Sequence, residues 1–145
     1  MKILLAVDGS AYTIKAVDYL STHLDWFKGA PELHLLHVQP PIPIGLAASR
    51  TRALLGDGAV DNYYKEESAL ALAPAEKLLR ERGIPFQSTY KVGEIAHVIQ
   101  HYASENKIDL IVMGSHGHGA LASVVMGSVA TKVLASATVP VLIVR

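Results

Sequence analysis

The stretch IDLIVMGSHGHGALASVVMGS, residues 108–128, decides the fold. It opens on an apolar run that is typical of a buried β-strand. Glycines then follow at positions 114, 117, 119 and 127, although glycine weakens both strands and helices. Such a cluster indicates positive φ angles or the close approach of the backbone to another group. Residues 113–128 also contain no lysine, arginine or carboxylate, so chemistry here depends on backbone groups, serines and histidines.

Strand-like runs alternate with helix-like segments along the whole chain. The strands are predicted at 2–8, 32–38, 86–92, 108–113 and 139–144, and the helices at 11–23, 61–82, 94–106 and 128–136. Ser10 is placed to cap the first helix, and Pro74 should kink or divide the second. Continuous apolar strands separated by helices indicate a parallel sheet covered on both faces. We therefore expect one doubly wound α/β domain over residues 1–145, with a five-stranded parallel sheet and four helices.

The composition narrows the class of protein. Half of the 145 residues are hydrophobic, and 13 basic residues balance 13 acidic ones, which argues against a broad nucleic-acid surface. No stretch approaches the ~20 apolar residues that a membrane span needs, and the start of the chain resembles a strand rather than a signal peptide. The sequence contains no cysteine, which excludes disulfides and cysteine-based zinc sites and fits the cytoplasm. We expect a cytoplasmic protein that binds neither nucleic acid nor membranes.

The one long irregular stretch is 39–60. Connections of this length in a compact domain are usually functional lids or mobile segments. Arg50 and Arg52 within it could close over a triphosphate or could belong to a solvated loop, and both interpretations stay open.

The glycine cluster is placed where open parallel sheets bind ligands. Such sheets bind beyond the carboxyl ends of their strands, at the point where the strand order reverses. Asp8 follows the first predicted strand, and Gly114 follows the fourth. Backbone N–H groups at 114–117 and at 127–128, where a helix begins, could hold a phosphate chain without a lysine. The alternative is that the glycines only shape a tight loop.

Other phosphate-binding motifs fit less well. The sequence has no G-x-x-x-x-G-K-[ST], so it is not a P-loop protein. Residues 117–122 match G-x-G-x-x-A, but they follow the fourth strand and no acidic residue lies ~20 positions downstream. We therefore discount a dinucleotide-binding fold.

The spacing G-x2-G-x9-G-S, formed by Gly114, Gly117, Gly127 and Ser128, resembles the ATP-binding signature of the universal stress protein family. The resemblance extends over essentially the whole chain, through ILLAVDGS, LLHV, VGEIAHVI and GSVATKVLASATVPVLIVR. It implies a Rossmann-like sheet of strand order 3-2-1-4-5. It also places the sequence in the branch of the family that binds ATP.

The resemblance implies roles for particular residues. Asp8 would lie by the ribose or a phosphate-bound Mg²⁺, and Val38 would offer its backbone to the adenine. The nucleotide-binding set as a whole is Ala6, Val7, Asp8, Val38, Met113, Gly114, Gly117, Gly127, Ser128 and Val129. A homodimer through the final strand, 139–144, is also implied. No family role falls on His116, His118 or Gly119.

The predicted function is an ATP-binding, stress-response regulatory protein that acts as a nucleotide-dependent binding module for an unknown protein partner. The alternative is a slow ATPase or self-phosphorylating enzyme, with Asp8 holding Mg²⁺ and Ser128 near the γ-phosphate. A third possibility is that the cleft binds another adenine nucleotide. The sequence favours the first, because phosphoryl transfer needs charge-stabilising groups that the glycine stretch lacks. We assign no catalytic residue and find no hydrolase triad.

Two groups of residues that contain histidines are candidates for further sites. Glu94, His97 and His101 have a helical spacing that could hold a metal, although such residues usually form a solvated helix face. His116 and His118 could contact a phosphate when protonated or could be exposed loop residues.

Overall fold

The architecture alternates strands and helices in the predicted order. The computed structural model describes residues 1–43, 56–118 and 125–145. The strands are β1 (Lys2–Ala6), β2 (Glu32–Gln39), β3 (Phe86–Val92), β4 (Leu110–Gly114) and β5 (Val141–Val144). The helices are α1 (Ala11–Thr22), α2 (Asp57–Glu81), α3 (Ile95–Glu105) and α4 (Ser128–Ser136), with a short 3-10 turn at Leu24–Trp26.

The five strands form one parallel sheet of order β3-β2-β1-β4-β5, which confirms the predicted topology. The order reverses at β1, because the chain moves outward to β2 and β3 and then returns to β4 on the other side. The last residue of β1, Ala6, pairs with Met113 of β4. This register brings the Asp8 loop and the first two glycines of the cluster to one end of the sheet.

Helices cover both faces of the sheet, which explains why the central strands are apolar without alternation. Alternate residues of β2 enter different cores. Leu33 and Leu35 pack into the core beneath α1 and α2, while Leu36 and Val38 pack into the core beneath α3 and α4. The two cores meet only through the sheet.

Pro74 does not divide the second helix, which runs unbroken from Asp57 to Glu81. Pro74 is exposed, so its ring lies on the solvent side. The neighbouring Leu72, Ala75 and Leu79 are buried and hold the helix on the sheet. Tertiary burial here outweighs the loss of one backbone hydrogen bond.

Some sequence predictions fall outside the described residues. Positions 44–55 include Arg50 and Arg52, and positions 119–124 include Gly119. Within the described part of the chain, no helix is both long and apolar enough to cross a membrane.

Candidate functional site

A cleft of about 540 Å³ lies beyond the carboxyl ends of β1, β2 and β4. Its apolar wall is formed in part by Ile95 and Ile99, from one face of α3. All ten residues named from the sequence line it: Ala6, Val7, Asp8, Val38, Met113, Gly114, Gly117, Gly127, Ser128 and Val129. The topology thus assembles one concave surface from segments more than 100 positions apart.

The loop after β1 holds the Asp8 carboxylate in a fixed position. Its Oδ1 accepts from the Ser10 N–H at 2.9 Å and from the Thr13 hydroxyl. Thr13 Oγ1 also accepts from the Asp8 N–H at 3.2 Å, and Ser10 caps α1 as predicted, its Oγ accepting from the Thr13 N–H. Oδ2 makes no hydrogen bond to any described residue and points toward Gly117. One carboxylate oxygen is therefore used by the fold, and the other faces the cleft.

Close approach of other atoms explains the glycines at 114, 117 and 127, since none of them has a positive φ. A Cβ on Gly114 would lie 2.7–2.8 Å from backbone and side-chain atoms of Tyr12, in the first turn of α1. A Cβ on Gly117 would lie 2.7 Å from Asp8 Oδ2. A Cβ on Gly127 would lie 3.2 Å from the Cα of His116. The glycines therefore bring parts of this chain close to one another around the cleft.

The start of α4 leaves backbone donors open. Gly127 is its N-cap and offers no side-chain hydrogen bond, and the Gly127 N–H already donates to Ser115 O at 2.8 Å. The next three N–H groups, of Ser128, Val129 and Ala130, have no described partner, as expected for a first helical turn. All three residues line the cleft. The N–H groups available to a ligand are thus those of residues 128–130, whereas the sequence had indicated residues 127 and 128.

The cleft carries little positive charge. Its described lining contains no lysine or arginine, and its titratable residues are Asp8, His37, His116 and His118. Positive potential comes instead from the N-terminus of α4, where the helix dipole adds to the three open N–H groups. A ligand anion would be held mainly by backbone dipoles.

The structure separates the two histidines of the glycine stretch. His116 is buried, its Nδ1 lies 2.9 Å from the Ser115 hydroxyl, and its ring centroid lies 4.9 Å from that of Tyr12. The expectation of an exposed loop position is therefore wrong for His116. His118 is exposed, and its Nε2 donates to the backbone carbonyl of Asp8 at 2.8 Å. That bond ties the glycine stretch to the end of β1.

Sequence reasoning missed several lining residues. His37 and Gln39 lie at the end of β2, both are buried, and His37 Nδ1 donates to Val7 O at 2.7 Å. Their position at the carboxyl end of a strand beside β1 was the available signal. Ile95 and Ile99 were recognisable as an apolar stripe on a helix, but nothing in the sequence indicates that part of the stripe stays uncovered.

The residues Glu94, His97 and His101 do not form a metal site. Glu94 caps α3, its carboxylate accepting from the His97 N–H at 2.7 Å, and this hydrogen bond lowers the pKa of the carboxyl. His101 lies 3.1 Å from Glu105 in a pair along the same helix. Among the residues that the structure describes, no group of three histidine or acidic side chains could hold a metal ion.

The chain is similar to proteins of one family over its whole length. The family model described as "Universal stress protein family" matches residues 1–145. Universal stress protein YxiE of Bacillus subtilis is 35% identical, over 99% of this chain and 98% of its own. Universal stress protein MJ0531 of Methanocaldococcus jannaschii is 31% identical, over 99% of this chain and 81% of its own.

Solved structures share the fold. Universal stress protein UspA from Lactobacillus plantarum superposes with a TM-score of 0.81 at 22% identity, covering 100% of this chain and 97% of that one. An Arabidopsis thaliana family member, 19% identical with a TM-score of 0.66, was solved with AMP bound and matches 99% of this chain and 90% of its own. The protein from Archaeoglobus fulgidus, 20% identical with a TM-score of 0.64, was solved with dAMP and matches 100% and 98%. At such identities the likeness shows a common fold.

Proposed function

Because the chain belongs to the universal stress protein family, we propose that it binds an adenine nucleotide in the cleft at the carboxyl end of its sheet. ATP is the nucleotide that the glycine signature predicts, and the protein acts as a nucleotide-dependent binding module in a cytoplasmic stress response. Occupancy of the cleft would alter the surface that a partner protein contacts. The AMP and dAMP complexes of its structural neighbours support an adenine nucleotide as the ligand.

The observation that carries this proposal is the start of α4. Three N–H groups without described partners, at residues 128–130, open onto the cleft at the positive end of a helix dipole. Phosphate oxygens are the groups that such an arrangement binds best. The neighbouring Gly127 lets the backbone of Ser115 and His116 pack closely against the start of this helix.

The rest of the cleft suits a purine nucleoside. Val38, Ile95, Ile99, Met113 and Val129 line it, which gives an apolar slot for a flat base. Ligand sites in proteins are mostly apolar with a few well-placed polar groups, and this division into an apolar wall and an amide-rich end matches that pattern.

Asp8 fits a Mg²⁺ ion carried by the nucleotide. Its Oδ2 is an oxygen ligand without a described hydrogen bond, and Mg²⁺ is commonly held by one or two carboxylates together with substrate phosphates. When bound, the ion would neutralise phosphate charge. The same free oxygen is the observation that favours the second candidate function, slow ATP hydrolysis or self-phosphorylation. The lack of lysine and arginine in the described lining favours binding without turnover.

The first test is direct. Purified protein is denatured and any released nucleotide identified, and AMP, ADP and ATP are then titrated calorimetrically into the stripped protein. We expect micromolar affinity for at least one of them. Failure to bind any adenine nucleotide would overturn the proposal. ADP formation from ATP and Mg²⁺ that is lost in Asp8→Ala, with the fold intact, would establish the enzyme instead.

The second test removes one amide. Ser128→Pro deletes the N–H of the first helical residue, where proline is well accepted, and Gly127 already has the extended conformation (φ −69°, ψ 158°) that precedes proline. We expect roughly tenfold weaker nucleotide binding, the worth of one charge-assisted hydrogen bond, with an unchanged urea midpoint. Ser128→Ala, which loses only the hydroxyl, is the matched control. Equal nucleotide affinity of the two variants would show that the Ser128 N–H does not bind the nucleotide.

We also propose that two copies pair through β5. This strand is an edge strand, and its residues Val141–Val144 are apolar and only partly buried. Uncovered apolar edges favour pairing with another chain. Sedimentation equilibrium at micromolar concentration should give twice the chain mass of 15.5 kDa, and the mass of a single chain would contradict the dimer.

A further inference from the structure

A second compartment, of about 340 Å³, opens between the loop after β1 and helix α2. It shares Asp8, His37, Gln39 and His118 with the nucleotide cleft, while α2 adds Glu67 and Leu70. No part of the proposed nucleotide site uses the side that faces α2. The chemistry of its polar atoms indicates what it would hold.

His37 presents a hydrogen-bond acceptor. Its Nδ1 lies 2.7 Å from Val7 O, and since a carbonyl only accepts, Nδ1 carries the proton. In the neutral ring, Nε2 therefore bears a lone pair, and it bonds to no described residue. The side chain is 92% buried, yet no buried side-chain nitrogen or oxygen among the described residues lacks a partner. Nε2 therefore opens onto a cavity that His37 lines.

Gln39 presents a second acceptor by the same reasoning. Its Nε2 donates to Tyr64 O at 3.2 Å and to Ser68 Oγ at 2.9 Å, which fixes the orientation of the amide. Its Oε1 then has no described partner, although the residue is 91% buried. This oxygen is therefore accessible from a cavity, because no fully buried side-chain oxygen among the described residues lacks a hydrogen-bond partner.

The remaining polar groups are acceptors too. His118 donates through Nε2 to Asp8 O, so its other ring nitrogen accepts when the ring is neutral. Asp8 also lines the compartment, although its Oδ2 points toward Gly117, and the exposed Glu67 carboxylate has no described hydrogen bond. The opposite wall is apolar and includes Leu70 and Ala71. Among the described residues, the compartment thus combines side-chain acceptors, two carboxylates and a hydrocarbon surface. Its side-chain N–H donors, on His37, Gln39 and His118, are already bonded to protein oxygens.

We propose that this compartment binds an organic cation, an ammonium or guanidinium group on an aliphatic stem. The cation donates hydrogen bonds to His37, Gln39 and Glu67, and its stem lies against Leu70. Because the compartment shares Asp8, His37, Gln39 and His118 with a cleft whose described lining has no lysine or arginine, the bound cation also adds positive charge to the nucleotide site. This second effect rests on the proposed nucleotide binding. Linkage then requires each ligand to tighten the other.

A hydrated metal ion is the alternative ligand, because its bound water molecules could also donate hydrogen bonds to these acceptors. No described group of three histidine or acidic residues could coordinate a metal directly, which favours the organic cation. Mg²⁺ is accordingly a separate arm of the test.

The test begins with nucleotide-free protein, so it does not depend on nucleotide binding. Agmatine, which carries an ammonium and a guanidinium group, is titrated while side-chain NMR signals of His37 and Gln39 are followed. We expect saturable shifts with agmatine and none with 1-butanol at the same concentration. Mg²⁺ in place of agmatine should not shift these signals to saturation. Shifts from Mg²⁺ alone, or no shift from agmatine, would overturn the compartment as an organic-cation site.

Matched variants then test the coupling. Glu67→Lys places an ammonium group at the compartment, so we expect it to abolish agmatine binding and to tighten AMP binding roughly three- to tenfold, the range of a partly exposed ion pair. Glu66→Lys makes the same change in net charge on a neighbouring exposed residue that does not line the compartment, and it should alter neither. Equal effects of the two variants would overturn the proposal. Agmatine binding without any AMP binding would refute the nucleotide site but support the organic-cation site.

Discussion

The two ends of the sheet use similar residues in opposite ways. At the amino end, the buried His34 has both ring nitrogens bonded, Nδ1 to the Tyr102 hydroxyl at 2.9 Å and Nε2 to Glu32 at 3.0 Å. The Glu32 carboxylate also accepts from Gln87 at 3.0 Å and lies 3.8 Å from the Lys2 ammonium group. This end is a closed network of partnered groups.

At the carboxyl end, one histidine and one carboxylate each keep one side open among the described residues. Within the described part of the chain, His37 is bonded through one nitrogen only, and Asp8 uses Oδ1 while Oδ2 faces Gly117. The first turn of α4 offers N–H groups that no side chain caps. Residue type alone therefore does not distinguish a histidine that is closed within the fold from one that lines the cleft. The number of atoms left without a partner distinguishes them.

The largest expected effect lies at the carboxyl end, where glycine permits close packing. Gly114→Ala would place a Cβ 2.7–2.8 Å from Tyr12, so α1 must shift. We expect a loss of about 1–3 kcal/mol in the free energy of unfolding, typical of overpacking. Urea denaturation measures it. In the control Gly58→Ala nothing lies within 4 Å of the new Cβ, and the helix should lose no stability. Equal stability of the two variants would refute the packing explanation.

A smaller effect is expected at the amino end. Tyr102→Phe leaves Nδ1 of His34 without its partner, at a cost of about 1–2 kcal/mol. The exposed Tyr90, whose hydroxyl makes no described hydrogen bond, provides the control Tyr90→Phe. Lower stability of Tyr102→Phe with wild-type stability of Tyr90→Phe would show that the hydrogen-bond network at the amino end stabilises the fold. Wild-type stability of Tyr102→Phe would contradict this difference between the two ends of the sheet.

The same variant has a pH signature. Burial, and then the nearby Glu32 carboxylate, raise the pKa of Tyr102 above its ordinary value of 10.0. The folded state therefore holds this proton more tightly than the unfolded state, and the stability it contributes is complete below pH 10 and lost as the pH rises through the folded pKa. Wild-type protein should lose more stability than Tyr102→Phe between pH 9 and pH 11. Parallel curves would contradict a raised pKa.

The smallest expected effect compares a capped helix start with the uncapped start of α4. The His97 N–H lowers the pKa of the exposed Glu94 carboxyl below 4.5, so its stabilisation is present above that pH and lost as the pH falls through the folded pKa. Glu94→Gln should be slightly less stable than wild type at pH 7, and the difference should vanish in acid. Glu66→Gln, at an exposed residue without a described partner, should show no such change. Thermal melts across pH 3–7 measure both.

The alternation of strands and helices could be predicted, because it follows from patterns that are local in sequence. Apolar runs separated by helical segments indicate a covered parallel sheet, and the glycine spacing marks one strand end. The resemblance to the family supplied the strand order that periodicity alone could not. The limits of α4, Ser128–Ser136, were predicted to the residue.

Other features could not be predicted, because they depend on contacts between residues that are distant in the sequence. Burial of residues distant in the sequence keeps α2 continuous through Pro74, which a local rule would break. The glycines at 114, 117 and 127 have ordinary φ angles, and what approaches them comes from Tyr12, Asp8 and His116.

The sequence by itself determined the alternation of elements, the apolar character of the sheet and the position of a glycine-rich loop at the end of one strand. These are properties of periodicity and of residue spacing along one chain. Only the tertiary structure decided which polar atoms remain unpartnered, because pairing depends on groups that meet from separate strands. His34 and His37 lie three positions apart on β2 and point to opposite faces and opposite ends of the sheet. One is closed within the fold, and the other lines the cleft.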